Sequence, residues 1–177
     1  MPFILALIGA AAAVYFFVIR ARNTAHAARD IADVANDVRL AARRFGFSRK
    51  TNVHPVEQIE DARVAAAALV KAVIDENGMP TQEVHNAFLI QLQKGLQFSL
   101  ADSKEVVTLA NWLIASCNGA SPAISRLSRK LYKMSGSDAA MPVFGILEAI
   151  YAETGMSARQ IDVLEDIKRT MRVPQNA

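Results

Sequence analysis

The N-terminus constrains this chain most. From Phe3 to Ile19 every residue except Gly9 is apolar, and none is charged. As an α-helix, residues 2–19 rise about 27 Å. That nearly matches a hydrocarbon core of roughly 30 Å. Pro2 is tolerated at a helix start, where its missing N–H had no partner anyway. Tyr15, Phe16 and Phe17 lie near one end of the run, where ring residues favour the membrane interface. A cleavable signal peptide carries a basic n-region and a polar small-residue cleavage site. No Lys or Arg precedes this run, and Ala10–Ala13 lie inside it. A buried core helix is the other alternative, and the pattern favours a retained signal anchor, a single transmembrane helix over residues 1–19. Arg20, Arg22 and Arg29 follow the run. The positive-inside rule then predicts a single-pass membrane protein, N-terminus outside and the rest in the cytoplasm. The bilayer is the first expected partner.

The overall balance of 52% apolar residues and net charge +3 hides two uneven distributions. Without the first 19 residues the apolar share is about 47%, ordinary for a soluble domain. Between Arg20 and Val53 there are eight basic and three acidic residues; from His54 onward there are twelve basic and fourteen acidic. The basic excess therefore belongs to the segment after the apolar run, where it favours anionic lipid. It is not the footprint of a nucleic-acid-binding domain, and no nucleic-acid partner is expected. The single Cys excludes an intramolecular disulfide and any multi-Cys metal site. It fits a reducing compartment.

Residues 20–53 read as a basic juxtamembrane helix and linker. Ile31, Val34, Val38, Ala41 and Phe45 repeat at heptad-like spacing, and Gly46 suits a C-cap. This stripe suits self-association of the stalk or docking on the membrane surface, or packing on the chain's own domain. Residues 46–53 (GFSRKTNV) form a short polar linker.

From residue 54 to 177 the pattern predicts an all-α bundle of about six helices. Residues 56–76 carry Ile59, Ala62, Ala66, Leu69, Val70, Val73 and Ile74 at helical spacing. Asn77–Gly78 and Pro80 stop that helix, and Thr81 caps the next. Asp102 with Glu105 reads as a variant capping box. Asn118–Gly119 is a stop, Ser121–Pro122 a start. Gly136–Ser137–Asp138 and Thr154–Gly155 are further breaks, and Ser157 with Gln160 caps the last helix.

Residues 70–90 align without gaps on 147–167. Ala72, Glu76, Gly78, Met79 and Ile90 match Ala149, Glu153, Gly155, Met156 and Ile167. Val70, Val73 and Val84 face Leu147, Ile150 and Ile161. This predicts two helix–turn–helix units in an internal two-fold repeat. The pattern at Ala72 and Asp75–Glu83, with its recurrence in the second half, resembles the TerB-like helical domain over about residues 55–173. The resemblance implies a bundle known from tellurite-resistance proteins. A membrane anchor ahead of it also looks like the N-terminal part of the DjlA co-chaperones, which implies a co-chaperone partner lacking a J domain. The residue before Gly is Asn77 in one turn and Thr154 in the other, where the family tends to have Asp.

Two sets of candidate site residues follow. Asp75, Glu76 and Glu83 flank the first turn, and Glu153 holds the position equivalent to Glu76. Carboxylates at a turn can hold a hard divalent cation, although the spacing is not that of an EF-hand. A solvated acidic turn is the alternative. Arg126, Arg129, Lys130 and Lys133 fall at i, i+3, i+4 and i+7, a basic stripe opposite Ile124, Leu127, Leu131 and Met134. With Arg20, Arg22 and Arg29 it forms the candidate surface for anionic headgroups or an acidic partner. His54, His85, Cys117 and Trp112 read as structural residues. No phosphate loop, nucleophile elbow or dinucleotide fingerprint is present, so catalysis is not expected. A membrane-anchored interaction or scaffold module, with an unidentified protein partner and no resident cofactor, is the functional expectation. A divalent-metal-responsive sensor is the alternative.

Overall fold

The helix α2 (Ala62–Asp75) sets the architecture. Every residue from Val64 to Ile74 is buried, Lys71 included. A helix apolar all round must be enclosed, and α2 packs on α4, α5 and α6. Its alanines at 62, 65–68 and 72 keep its surface thin, so neighbouring axes can approach closely. The computed structural model describes residues 36, 38–45 and 52–173. The apolar run 3–19, the basic residues Arg20, Arg22 and Arg29, and Ile31 and Val34 of the stripe lie outside them.

Among the described residues the structure is helical throughout, with no strand. Residues 38–44 form helical turns, α1. A 3₁₀ turn (Pro55–Gln58) leads to α2, followed by α3 (Gln82–Leu96), α4 (Leu100–Ser116), α5 (Ala120–Ser135), a second 3₁₀ turn (Ser137–Ala139), α6 (Ala140–Ile150) and α7 (Ala158–Thr170). The six helices expected after residue 54 are present. No helix among the described residues is long and apolar enough to cross a membrane.

The compact unit begins at Val38 rather than at residue 54. Ala41 is fully buried, and Val38 and Phe45 pack against the core. Phe45 meets Phe98 edge-on, with ring centroids 5.8 Å apart. Arg44 pairs with Asp102 at 2.6 Å and Glu105 at 2.9 Å. The described part of the heptad-like stripe is therefore spent on the chain's own core.

Several helix ends differ from the sequence expectation. Asp61, not residue 56, opens the long second helix: its carboxylate accepts the Arg63 backbone N–H at 2.8 Å. Burial pushes the Asp61 carboxyl up, but hydrogen bonds from Arg63 and its charge outweigh this and hold it below the usual carboxylate range. Ser99, not Asp102, caps α4: its hydroxyl accepts the Asp102 N–H at 3.1 Å and donates to the Asp102 carboxylate at 2.6 Å. Asp102 and Glu105, three residues apart on one helical face, are thereby turned toward Arg44. Gly119, with φ 120°, opens α5, so Ser121 and Pro122 fall inside its first turn. Thr81 and Ser157 cap as expected, Ser157 with Gln160 as a full capping box.

Both helix–turn–helix units exist: Val70 and Val73 in α2 are buried like their counterparts Leu147 and Ile150 in α6, but the buried faces of the second helices, α3 and α7, do not correspond. Ser157 is opposite Pro80 in the ungapped alignment, so α7 starts one residue earlier than α3. One residue turns a helix by about 100°. Val84 packs against the core while Ile161 is exposed, and Ile90 is exposed while Ile167 is buried. The partners differ too, since α3 packs along α6 and α7 along α5. The two-fold relation between the halves thus holds for the first helix and the Gly turn of each unit and not for the second helix.

Gly95 lets α3 lie close against α6. A Cβ there would lie 2.8 Å from Ile146 Cγ1 and 3.0 Å from Cδ1. Gly95→Ala is expected to destabilise by about 1 kcal/mol, because overpacking costs about 1–3 kcal/mol against a helix-propensity gain of about 1 kcal/mol. Gly145 in α6 has open space around it. Gly145→Ala should therefore stabilise by about 0.5–1 kcal/mol. Urea midpoints of the two variants moving in the same direction would contradict this packing.

Candidate functional site

The two turns predicted as equivalent acidic sites fold against one another. The Glu76 carboxylate, its side chain only 4% exposed, accepts from the Arg159 Nε at 2.8 Å. Asn77 Nδ2 donates to Ser157 Oγ at 2.7 Å, and Ser157 Oγ donates to Asn77 Oδ1 at 3.0 Å. Gln160, 1% exposed, lies beneath. Its Nε2 donates to the Tyr151 hydroxyl oxygen at 2.8 Å and to the Val73 carbonyl at 3.3 Å. Its Oε1 accepts the Ser157 N–H at 3.1 Å. Burial pushes the Tyr151 hydroxyl's pKa up, partly offset by the Gln160 bond. These contacts clasp the C-terminal end of α2 to the N-terminal end of α7.

The candidate carboxylates are thus not one ligand set. Asp75 holds the Lys71 ammonium one turn back. Glu76 holds Arg159. Glu83 is exposed in the first turn of α3, where a negative charge complements the helix dipole, and Glu153 is exposed beyond α6. Among the described residues no group of three or more His, Cys, Asp or Glu is placed to hold a metal ion. The sequence could not reveal this pairing, because Glu76 and Arg159 are 83 positions apart.

The basic stripe divides differently. Lys130 Nζ donates to the Glu57 carbonyl at 2.8 Å, so it fastens α5 to the first 3₁₀ turn. Arg126, Arg129 and Lys133 are exposed, and none makes an ion pair among the described residues. The opposite face of α5 buries Ala123, Ile124, Leu127, Ser128 and Leu131. Two residues that sequence reasoning passed over extend the charged face. Arg172, just past α7, lies with its guanidinium carbon 5.6 Å from the centre of the Tyr132 ring. A cation over an aromatic face is a favourable contact. Cys117 at the end of α4 is buried, and burial pushes its thiol pKa up. A buried thiol of this kind is a packing residue. His54 Nδ1 accepts the Val56 N–H and so starts the first 3₁₀ turn.

Comparison with family models, with curated proteins and with solved structures finds no match to this chain.

Proposed function

We propose that the chain is a membrane-anchored interaction module. Residues 3–19 cross the bacterial inner membrane, and the bundle recruits a protein partner on the cytoplasmic side. The observation that carries this reading is the uncharged apolar run of residues 3–19 followed at once by Arg20, Arg22 and Arg29. The helix–Gly turn–helix outline in both halves supports a TerB-like bundle, with envelope or tellurite-type stress as its setting. Binding, not catalysis, is the role assigned to it. Tethering acts by raising the effective concentration of a weak contact.

Photo-crosslinking in native membranes tests the proposal, with the probe on exposed positions of α3 and α6 such as Asn86 and Glu148. The full chain should capture one discrete partner. Removal of residues 2–20 should lower that yield about tenfold or more, because the loss of tethering removes the local concentration. No discrete partner, or a yield unaffected by the deletion, would overturn it.

A further inference from the structure

Helix α5 has four basic residues and no acidic one, in a segment, His54–Ala177, where acidic residues outnumber basic ones. One of the four, Lys130, is spent on the Glu57 carbonyl. The other three, Arg126, Arg129 and Lys133, cover about 10 Å of helix at 1.5 Å rise per residue. They are exposed on one face, and none forms an ion pair among the described residues. Tyr132 adjoins them, with Arg172 stacked on its ring. An aromatic ring among fixed cations suits the interface of a bilayer, where rings and basic side chains both settle.

From this charge segregation we infer that the outer face of α5, with Tyr132 and Arg172, docks on the anionic lipid headgroups of the leaflet beside which the bundle is held. The inference rests on the anchored reading above for its geometry. It adds an orientation: α5 lies against the lipid, and the exposed surfaces of α3 and α6 remain open to a protein. Anionic lipid is preferred to an acidic protein because the chain supplies its own reason to be at that surface. The eight basic and three acidic residues of Arg20–Val53 favour the same leaflet.

The test uses the full chain carrying Ser125→Cys, a substitution at an exposed α5 position, with a fluorophore on the new thiol. Cys117 is buried and is replaced by Ser in the same background. The chain is reconstituted with phosphatidylcholine vesicles with or without phosphatidylglycerol, each bearing a headgroup quencher. Quenching is expected only where phosphatidylglycerol is present, and it should fall as salt rises. A label at Glu148→Cys on α6 should stay unquenched. Replacing Arg126, Arg129 and Lys133 together by Gln should weaken docking about a hundredfold, since each well-placed charge contributes about fivefold. Circular dichroism verifies that this variant folds.

A label at position 125 that is not quenched on anionic vesicles, or is quenched equally on both, overturns the docking. Carbonate resistance of the same vesicles reports on the anchor separately. A chain that resists carbonate but leaves position 125 unquenched keeps its anchor and loses this inference. A chain stripped by carbonate, yet recruited to anionic vesicles with position 125 quenched, keeps the docking and loses the anchor. Loss of an acidic protein partner in the triple variant, with no lipid-dependent quenching, would assign the face to protein instead.

Discussion

Gln160→Ala is expected to destabilise the bundle by about 3 kcal/mol, one of the largest losses available outside the apolar core. The side chain is 1% exposed and joins three groups: the Tyr151 hydroxyl, the Val73 carbonyl and the Ser157 N–H. Truncation leaves these groups with one partner fewer, the Val73 carbonyl in the buried interior and the other two half-buried. An unsatisfied buried group costs about 1–3 kcal/mol, and the vacated volume adds a cavity cost of its own. The Ser157 cap of α7 persists, because its hydroxyl still accepts the backbone N–H of residue 160, and only the reciprocal bond to the Ser157 N–H is lost. Gln160→Met fills the same volume and isolates the hydrogen bonds, so it should cost about 2 kcal/mol. Urea unfolding of residues 38–177, the unit that contains the core, measures both at unchanged m. A loss below about 1 kcal/mol for Gln160→Ala would mean that the two turns are not clasped through this residue.

The second large effect concerns an ion pair whose partners are unequally buried. The Lys71 side chain is 8% exposed, that of Asp75 23%. Asp75→Ala strands an ammonium inside the bundle, on the buried stretch of α2 from Val64 to Ile74 that is otherwise apolar, and is expected to cost about 3 kcal/mol. Lys71→Met keeps the aliphatic stem and leaves a carboxylate that water can reach, so its cost should stay below about 1 kcal/mol. The double variant should recover most of the Asp75→Ala loss. The coupling energy from the four proteins measures the pair directly. Equal losses from the two single variants would contradict the asymmetry. The experiment also bears on the acidic turn, since a carboxylate committed to Lys71 is not available to a cation.

Much of the fold could be read from local chemistry. Gly78, Gly119, Gly136 and Gly155 adopt positive φ at the helix breaks, as does Asn118. Thr81 and Ser157 cap because a hydroxyl can reach the orphan N–H groups of a first turn. Local signals failed where two neighbours competed for one role. Ser99 and Asp102 both suit a cap; Ser99 takes the role, and the Asp102 carboxylate accepts from the Ser99 hydroxyl and pairs with Arg44, 58 residues earlier. The enclosure of α2 was only half legible, because alanines mark no preferred face and their burial shows only when α4 and α5 close over them.

The candidate sites were legible as composition and not as geometry. The basic residues of α5 share one helix, so their spacing sufficed to place them on one face. Even there Lys130 was withdrawn by a carbonyl 73 residues away. The acidic turn had no such advantage. Its fate depended on Arg159 and Ser157, which reach it only through the tertiary fold.

The role proposed for the N-terminal apolar run is to hold the bundle at a membrane. Alkaline carbonate extraction of membranes from cells that express the full chain, beside a chain lacking residues 2–20, tests it most directly. The full chain is expected to stay with the lipid while the shortened chain is washed off. A full chain stripped by carbonate, or a shortened chain that resists it, would rule out this anchoring.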